Sequence, residues 1–107
     1  LKKILFICSR NKWRSLTAET IFKGNPSFEV KSAGTENSAR IKINSKHINW
    51  AEIIFVMEKK HNERLLEKFP NEMKGKKIVI LEIQDNYKYM DSELIAELKI
   101  SLNEYFK

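Results

Sequence analysis

The run Ile4-Leu5-Phe6-Ile7 contains no polar residue, so a strand formed there has no face to offer to water. Strands of that kind sit inside parallel sheets, with helices covering both faces. Ile53-Ile54-Phe55-Val56-Met57 repeats the pattern, and the spacing predicts a buried strand from Glu52 to Met57. From about Arg14, the segment Ser15 to Phe22 reads as a helix with Leu16, Ala18, Ile21 and Phe22 sharing one side, and Gly24-Asn25-Pro26 stops it. Phe28 to Ser32 alternates and predicts a short strand nearer a sheet edge. The polar stretch from Glu36 to Lys46 reads as a loop before a short helix around Ser45 to Trp50. Lys59 to Phe69 reads as a helix with His61, Leu65 and Phe69 on one side, closed by Pro70. Gly75 precedes a strand from Lys77 to Glu82. Asp91 is placed to cap a last helix in which Leu94, Ile95, Leu98, Leu102, Tyr105 and Phe106 recur at helical spacing. Alternating strands and helices predict an α/β fold, a three-layer sandwich with a parallel sheet and right-handed crossovers.

The residues after the first strand carry chemistry. Cys8-Ser9-Arg10-Asn11-Lys12-Trp13-Arg14-Ser15 joins that strand to the first helix. A tight loop running into a helix aims several N–H groups and the positive end of the helix dipole at one point, which suits a bound anion. A thiol attacks phosphorus as its thiolate, and inward amides, a helix start and a guanidinium all favour that form. Arg14 offers a planar fork for two phosphoryl oxygens, which a lysine cannot copy. Ser15 is placed to donate its hydroxyl to the sulfur. Asn11 suits the left-handed backbone region, with a side chain able to tie the loop together. Cys8 is the expected nucleophile, and Ser9, Arg10, Asn11, Lys12, Trp13 and Ser15 are expected to hold phosphate or substrate.

Displacing an alcohol or phenol from phosphorus needs a proton for the leaving oxygen, and the phosphocysteine left behind needs a base to activate water. One carboxyl group can serve both turns. Asp85 is the candidate, because ligands in such sheets bind beyond the carboxyl ends of the strands, where both the Cys8 loop and the Asp85 segment emerge. Asp91 competes, but its place before Ser92-Glu93-Leu94 suits a helix cap better. Tyr87, Tyr89 and Trp13 are candidates to wall a pocket for a phenyl ring. Phe28, Trp50 and Phe55 read as core. His47 and His61 lack the partners of a metal site and read as structural or surface residues.

These residues resemble those of the low-molecular-weight protein tyrosine phosphatases, which carry Cys-x5-Arg-Ser directly after a first strand. Ser32-Ala33-Gly34-Thr35 is similar to the Ser-Ala-Gly-Thr of that family. Ile53-Ile54-Phe55-Val56-Met57 is similar to its third strand, and Ile83-Gln84-Asp85-Asn86-Tyr87 to its late Asp-Pro-Tyr segment. The resemblance spans nearly the whole chain and is greatest for a compact bacterial branch. It implies a four-stranded sheet in the order 2-1-3-4 and a phosphatase that uses Cys8, Arg14 and Asp85 without a metal or organic cofactor. Three positions depart from the family pattern: Arg10 stands where glycine is usual, Trp13 where a second cysteine often lies, and Asn86 where proline usually follows the acid.

Composition sets outer bounds. The 107 residues suit one domain, and 42% hydrophobic content is enough for one core. A single cysteine excludes an internal disulfide, fits a reducing cytoplasm, and argues against redox-relay arsenate reductases on a similar fold. Lys2-Lys3 before four apolar residues is too short for a signal peptide, no stretch is long enough to span a membrane, and Leu1 is not an initiator methionine. A net charge of +6 points to an anionic partner. The expected partner is a phosphorylated protein or a small aryl phosphate, rather than nucleic acid or a membrane. Two alternatives stay open: a phosphocysteine carrier like the sugar-transport IIB proteins, and a non-catalytic phosphate or polyanion binder on the same fold.

Overall fold

The computed structural model describes residues 1–106. Its elements run β1 (Lys2–Cys8), α1 (Arg14–Phe22), β2 (Phe28–Gly34), α2 (Ser45–Trp50), β3 (Ile53–Val56), α3 (Lys59–Lys68), β4 (Lys77–Ile80) and α4 (Ser92–Leu102). The four strands form one sheet in the order β2-β1-β3-β4, and every pairing is parallel. The expected sheet order and fold class are those observed, with the alternating β2 on an edge.

Because successive strand residues face opposite ways, β1 divides its run between two cores. Ile4, Phe6 and Cys8 join Phe55, Ala18 and the α4 residues Leu94, Leu98 and Leu102 on one face. Leu5 and Ile7 join Ile54, Val56, Ile48 of α2 and Leu65 of α3 on the other. Ile4, Leu5, Phe6 and Ile7 are all fully buried, and each side chain so placed contributes roughly 1.5–3 kcal/mol.

Four details differ from the expectations. The β4 ladder stops at Ile80, two residues early, because Glu82 adopts a positive φ of 57°. Pairing resumes beyond it, where Ile83 N–H donates to the Met57 carbonyl at 2.8 Å. Helix α4 ends at Leu102, yet Tyr105 and Phe106 still reach the core, with Phe106 stacked edge-on to Phe22 at 4.6 Å. Trp50 is only half-buried, beneath the Lys31 ammonium 4.5 Å from its ring. Helix α1 buries Arg14, Ser15, Thr17 and Ala18, while Leu16 is half-buried. The apolar periodicity of α1 is weak because its buried face is largely polar, and that face leads to the site.

Candidate active site

The loop from Cys8 to Trp13 is braced from outside. The carbonyls of Cys8, Ser9 and Arg10 accept from the N–H groups of Thr35, Glu36 and Arg40 at 3.0, 2.9 and 2.9 Å, and that of Asn11 accepts from Arg40 Nε at 3.2 Å. With four successive carbonyls turned outward, the alternate side of the loop is left to its N–H groups. Asn11 N–H donates to Cys8 Sγ at 3.2 Å. Asn11 makes this turn at φ 58°, in the left-handed region that asparagine tolerates best after glycine. Gly34 is the contact point of the brace: a β-carbon there would lie 2.6 Å from the Ser9 carbonyl oxygen.

A chain of side chains fixes the sulfur. The Asn11 amide Nδ2 donates to Ser15 Oγ and to Ser32 Oγ, both at 2.8 Å, and the Ser32 hydroxyl donates onward to Glu19. Ser15 Oγ therefore already accepts a hydrogen bond, and it lies 3.0 Å from Cys8 Sγ. The Ser15 hydrogen is thus free to be donated to the sulfur.

Arg14 is 2% exposed, and burying a guanidinium is tolerable only with partners. Its Nη1 donates to Glu58 Oε2 and to the Ile83 carbonyl, both at 2.7 Å. Using Nη1 twice leaves Nη2 and Nε for the pocket, where Asp85 Oδ1 stands 3.6 Å from Nε. Burial pushes the Glu58 carboxyl up, but the hydrogen bond and charge of Arg14, with Lys60, outweigh it and hold Glu58 below its usual value.

Cys8, Ser9, Arg10, Lys12, Trp13, Arg14, Glu36, Lys60 and Asp85 line one pocket of about 250 Å³. The expected residues Cys8, Ser9, Arg10, Lys12, Trp13, Arg14 and Asp85 are thus brought together, with Asn11 and Ser15 buried beneath. Arg10 lies on the exposed rim of the pocket, its side chain 62% exposed and its Nε 3.5 Å from Glu36. Tyr87 is placed elsewhere: its ring packs on the α4 side of the core and its hydroxyl donates to Glu97 at 2.8 Å. That bond draws the ring away from the pocket and pushes the phenol pKa up. Tyr89 is also outside the pocket, its hydroxyl 3.1 Å from Thr20 Oγ1. Asp91 caps α4, accepting from Glu93 N–H at 2.8 Å.

Sequence reasoning passed over Glu58 and Lys60, and read His61 only as a structural or surface residue. His61 is fully buried, accepts the Glu58 N–H at Nδ1 over 3.0 Å, and meets Ser9 Oγ through Nε2 at 2.9 Å. Burial, then the nearby Arg14 charge, pushes its pKa down to about 3. The available signal was position: Glu58-Lys59-Lys60-His61 leaves β3, the strand beside β1, at the end where the Cys8 loop emerges. Among the described residues no group of three or more His, Cys, Asp or Glu side chains is placed to hold a metal ion. No helix among them is long and apolar enough to cross a membrane.

No family model and no curated protein matches this sequence. Solved structures do match its fold. The tyrosine phosphatase Wzb from Escherichia coli K30, in complex with phosphate, superposes with a TM-score of 0.79 at 22% identity, covering 97% of this chain and 95% of that one. A low-molecular-weight protein tyrosine phosphatase from Streptococcus pyogenes gives 0.76 at 16% identity, over 98% and 91% of the two chains. The YwlE arginine phosphatase from Geobacillus stearothermophilus gives 0.73 at 22% identity, over 98% and 92%. The fold is that of the low-molecular-weight protein tyrosine phosphatases. Its single cysteine, Cys8, lies where β1 passes into the loop.

Proposed function

We propose that this chain is a phosphomonoester hydrolase of the low-molecular-weight protein tyrosine phosphatase type. One observation carries the reading: Cys8, Arg14 and Asp85, which come from two ends of the sequence, line the same pocket. In this reaction the Cys8 thiolate attacks phosphorus in line, forming a P–S bond as the ester P–O bond breaks. Arg14 and the loop N–H groups hold the non-bridging oxygens, and Asp85 gives its proton to the leaving oxygen. Asp85, now a carboxylate, takes a proton from water, whose oxygen attacks phosphorus and releases orthophosphate from Cys8.

The substrate is an aryl or protein-bound phosphoryl group. Trp13 is the aromatic wall of the pocket, which favours phosphotyrosine among these. Phosphoarginine is the second reading, favoured by the fold shared with an arginine phosphatase. Hydrolysis of p-nitrophenyl phosphate tests the reaction. Cys8→Ser is expected to abolish turnover while orthophosphate still binds, and Asp85→Asn to remove one limb of the pH–rate profile. Turnover at the wild-type level in Cys8→Ser would end the proposal. Paired assays on phosphotyrosine and phosphoarginine peptides then decide the substrate.

A further inference from the structure

Two serines attend the sulfur, Ser9 in the loop and Ser15 in the first turn of α1, and the hydrogen of only one has a partner among its neighbours. Ser15 accepts from Asn11 Nδ2, which leaves its hydrogen available to the sulfur 3.0 Å away. For Ser9, the residue next to Cys8, the same reasoning starts from His61. A backbone N–H can only donate, so the bond from Glu58 N–H to His61 Nδ1 leaves no room for a hydrogen on that nitrogen. The imidazole must then carry its hydrogen on Nε2, the atom 2.9 Å from Ser9 Oγ. His61 is the donor in that contact and Ser9 the acceptor. The Ser9 hydrogen is turned away from His61, and Ser9 borders the pocket floored by Cys8 and Arg14.

We propose that the Ser9 hydroxyl is a substrate-binding donor, aimed at a non-bridging oxygen of the phosphoryl group, and that His61 is the positioning residue that aims it. The inference rests on the phosphoryl-transfer reading of the site and adds a side-chain donor to the backbone cradle. His61 never touches substrate. It acts by holding one tautomer, fixed by Glu58, whose carboxylate also clamps Arg14. Two phosphate-holding groups, the Ser9 hydroxyl and the Arg14 guanidinium, are thereby set by the single turn from Glu58 to His61 that opens α3.

Orthophosphate binding, read by calorimetry and as competitive inhibition, tests this without requiring turnover. Ser9→Ala is expected to weaken orthophosphate at least about tenfold, the size of one lost hydrogen bond to a charged acceptor. His61→Leu is expected to do the same in wild type and to add nothing in a Ser9→Ala background. His61→Gln, whose amide has both a donor and an acceptor, is expected to recover part of the loss. Unchanged orthophosphate affinity in Ser9→Ala overturns the proposal. So does an His61→Leu loss that multiplies with Ser9→Ala, because His61 would then act by bracing the loop. Should His61→Leu fail to fold, Ser9→Ala and His61→Gln decide alone. Wild-type protein that binds orthophosphate through Ser9 yet hydrolyses no aryl phosphate keeps the donor and removes the hydrolase. Turnover indifferent to Ser9→Ala does the reverse, and a wild type that binds no orthophosphate removes both.

Discussion

Helices α2 and α3 begin with the same device and use it for different ends. At α2, Asn44 N–H donates to His47 Nδ1 and His47 N–H to Asn44 Oδ1, both at 3.1 Å, so cap and third residue satisfy each other. At α3, Glu58 N–H donates to His61 Nδ1 in the same way. The difference lies in what each pair does with its remaining atoms. Asn44 uses its side chain on the cap itself, whereas the Glu58 carboxylate reaches Arg14 and His61 Nε2 reaches Ser9. His47 is half-buried, and His61 is wholly enclosed. Burial lowers both pKa values, with Lys31 assisting at His47 and Arg14 at His61. A local capping pattern therefore does not reveal a functional role. The neighbouring strand decides it: α3 follows β3, and Met57 just past that strand donates its N–H to the Ile7 carbonyl of β1, one step from Cys8.

The comparison breaks if the two caps respond alike. Glu58→Ala should lower kcat/KM for an aryl phosphate about 100-fold, the usual scale for a misplaced catalytic group, while Asn44→Ala should leave it within about twofold. Steady-state kinetics on the two variants checks this. Next in size is the acid response of stability. A histidine held at about 3 in the fold and near 6.5 when unfolded takes up its proton more readily in the unfolded chain, so folding loses stability as pH falls from 6.5 toward 3. The loss attributable to His61 is at most about 1.4 kcal/mol per pH unit. Urea unfolding at pH 7 and 5 should show wild type losing more than His61→Gln, and parallel losses would refute the assignment. Asn44→Ala should cost about 1 kcal/mol of stability at pH 7 as a plain cap deletion, measured by the same unfolding curves. The smallest effect belongs to His47→Gln, expected to shift stability by roughly 0.5 kcal/mol or less with kcat/KM unchanged.

The sequence revealed what local order determines. The apolar run, Cys8, the left-handed Asn11 and the Arg14-Ser15 helix start are contiguous, so one reading of spacing captured the strand, the loop and the cradle. Asp91 was legible as a cap because its partner is two residues away. Glu58 and His61 were not legible, because their importance depends on β3 lying beside β1, a register that spacing within α3 does not encode. Tyr87 was misplaced for the converse reason. Its position two residues after Asp85 suggested the pocket, but Glu97, ten residues further on, takes its hydroxyl. Leu16 shows the same limit in α1, where site polarity displaces an apolar face.

Gly34 leaves no room for even a methyl group against the Ser9 backbone, and Arg10, Lys12 and Trp13 stand on the outward rim of the segment it supports. Under the proposed reaction, reactive geometry and molecular taste fall to separate parts. The inner mould is cast against an edge strand and resists alteration, while the outer lettering is open to rewriting one side chain at a time.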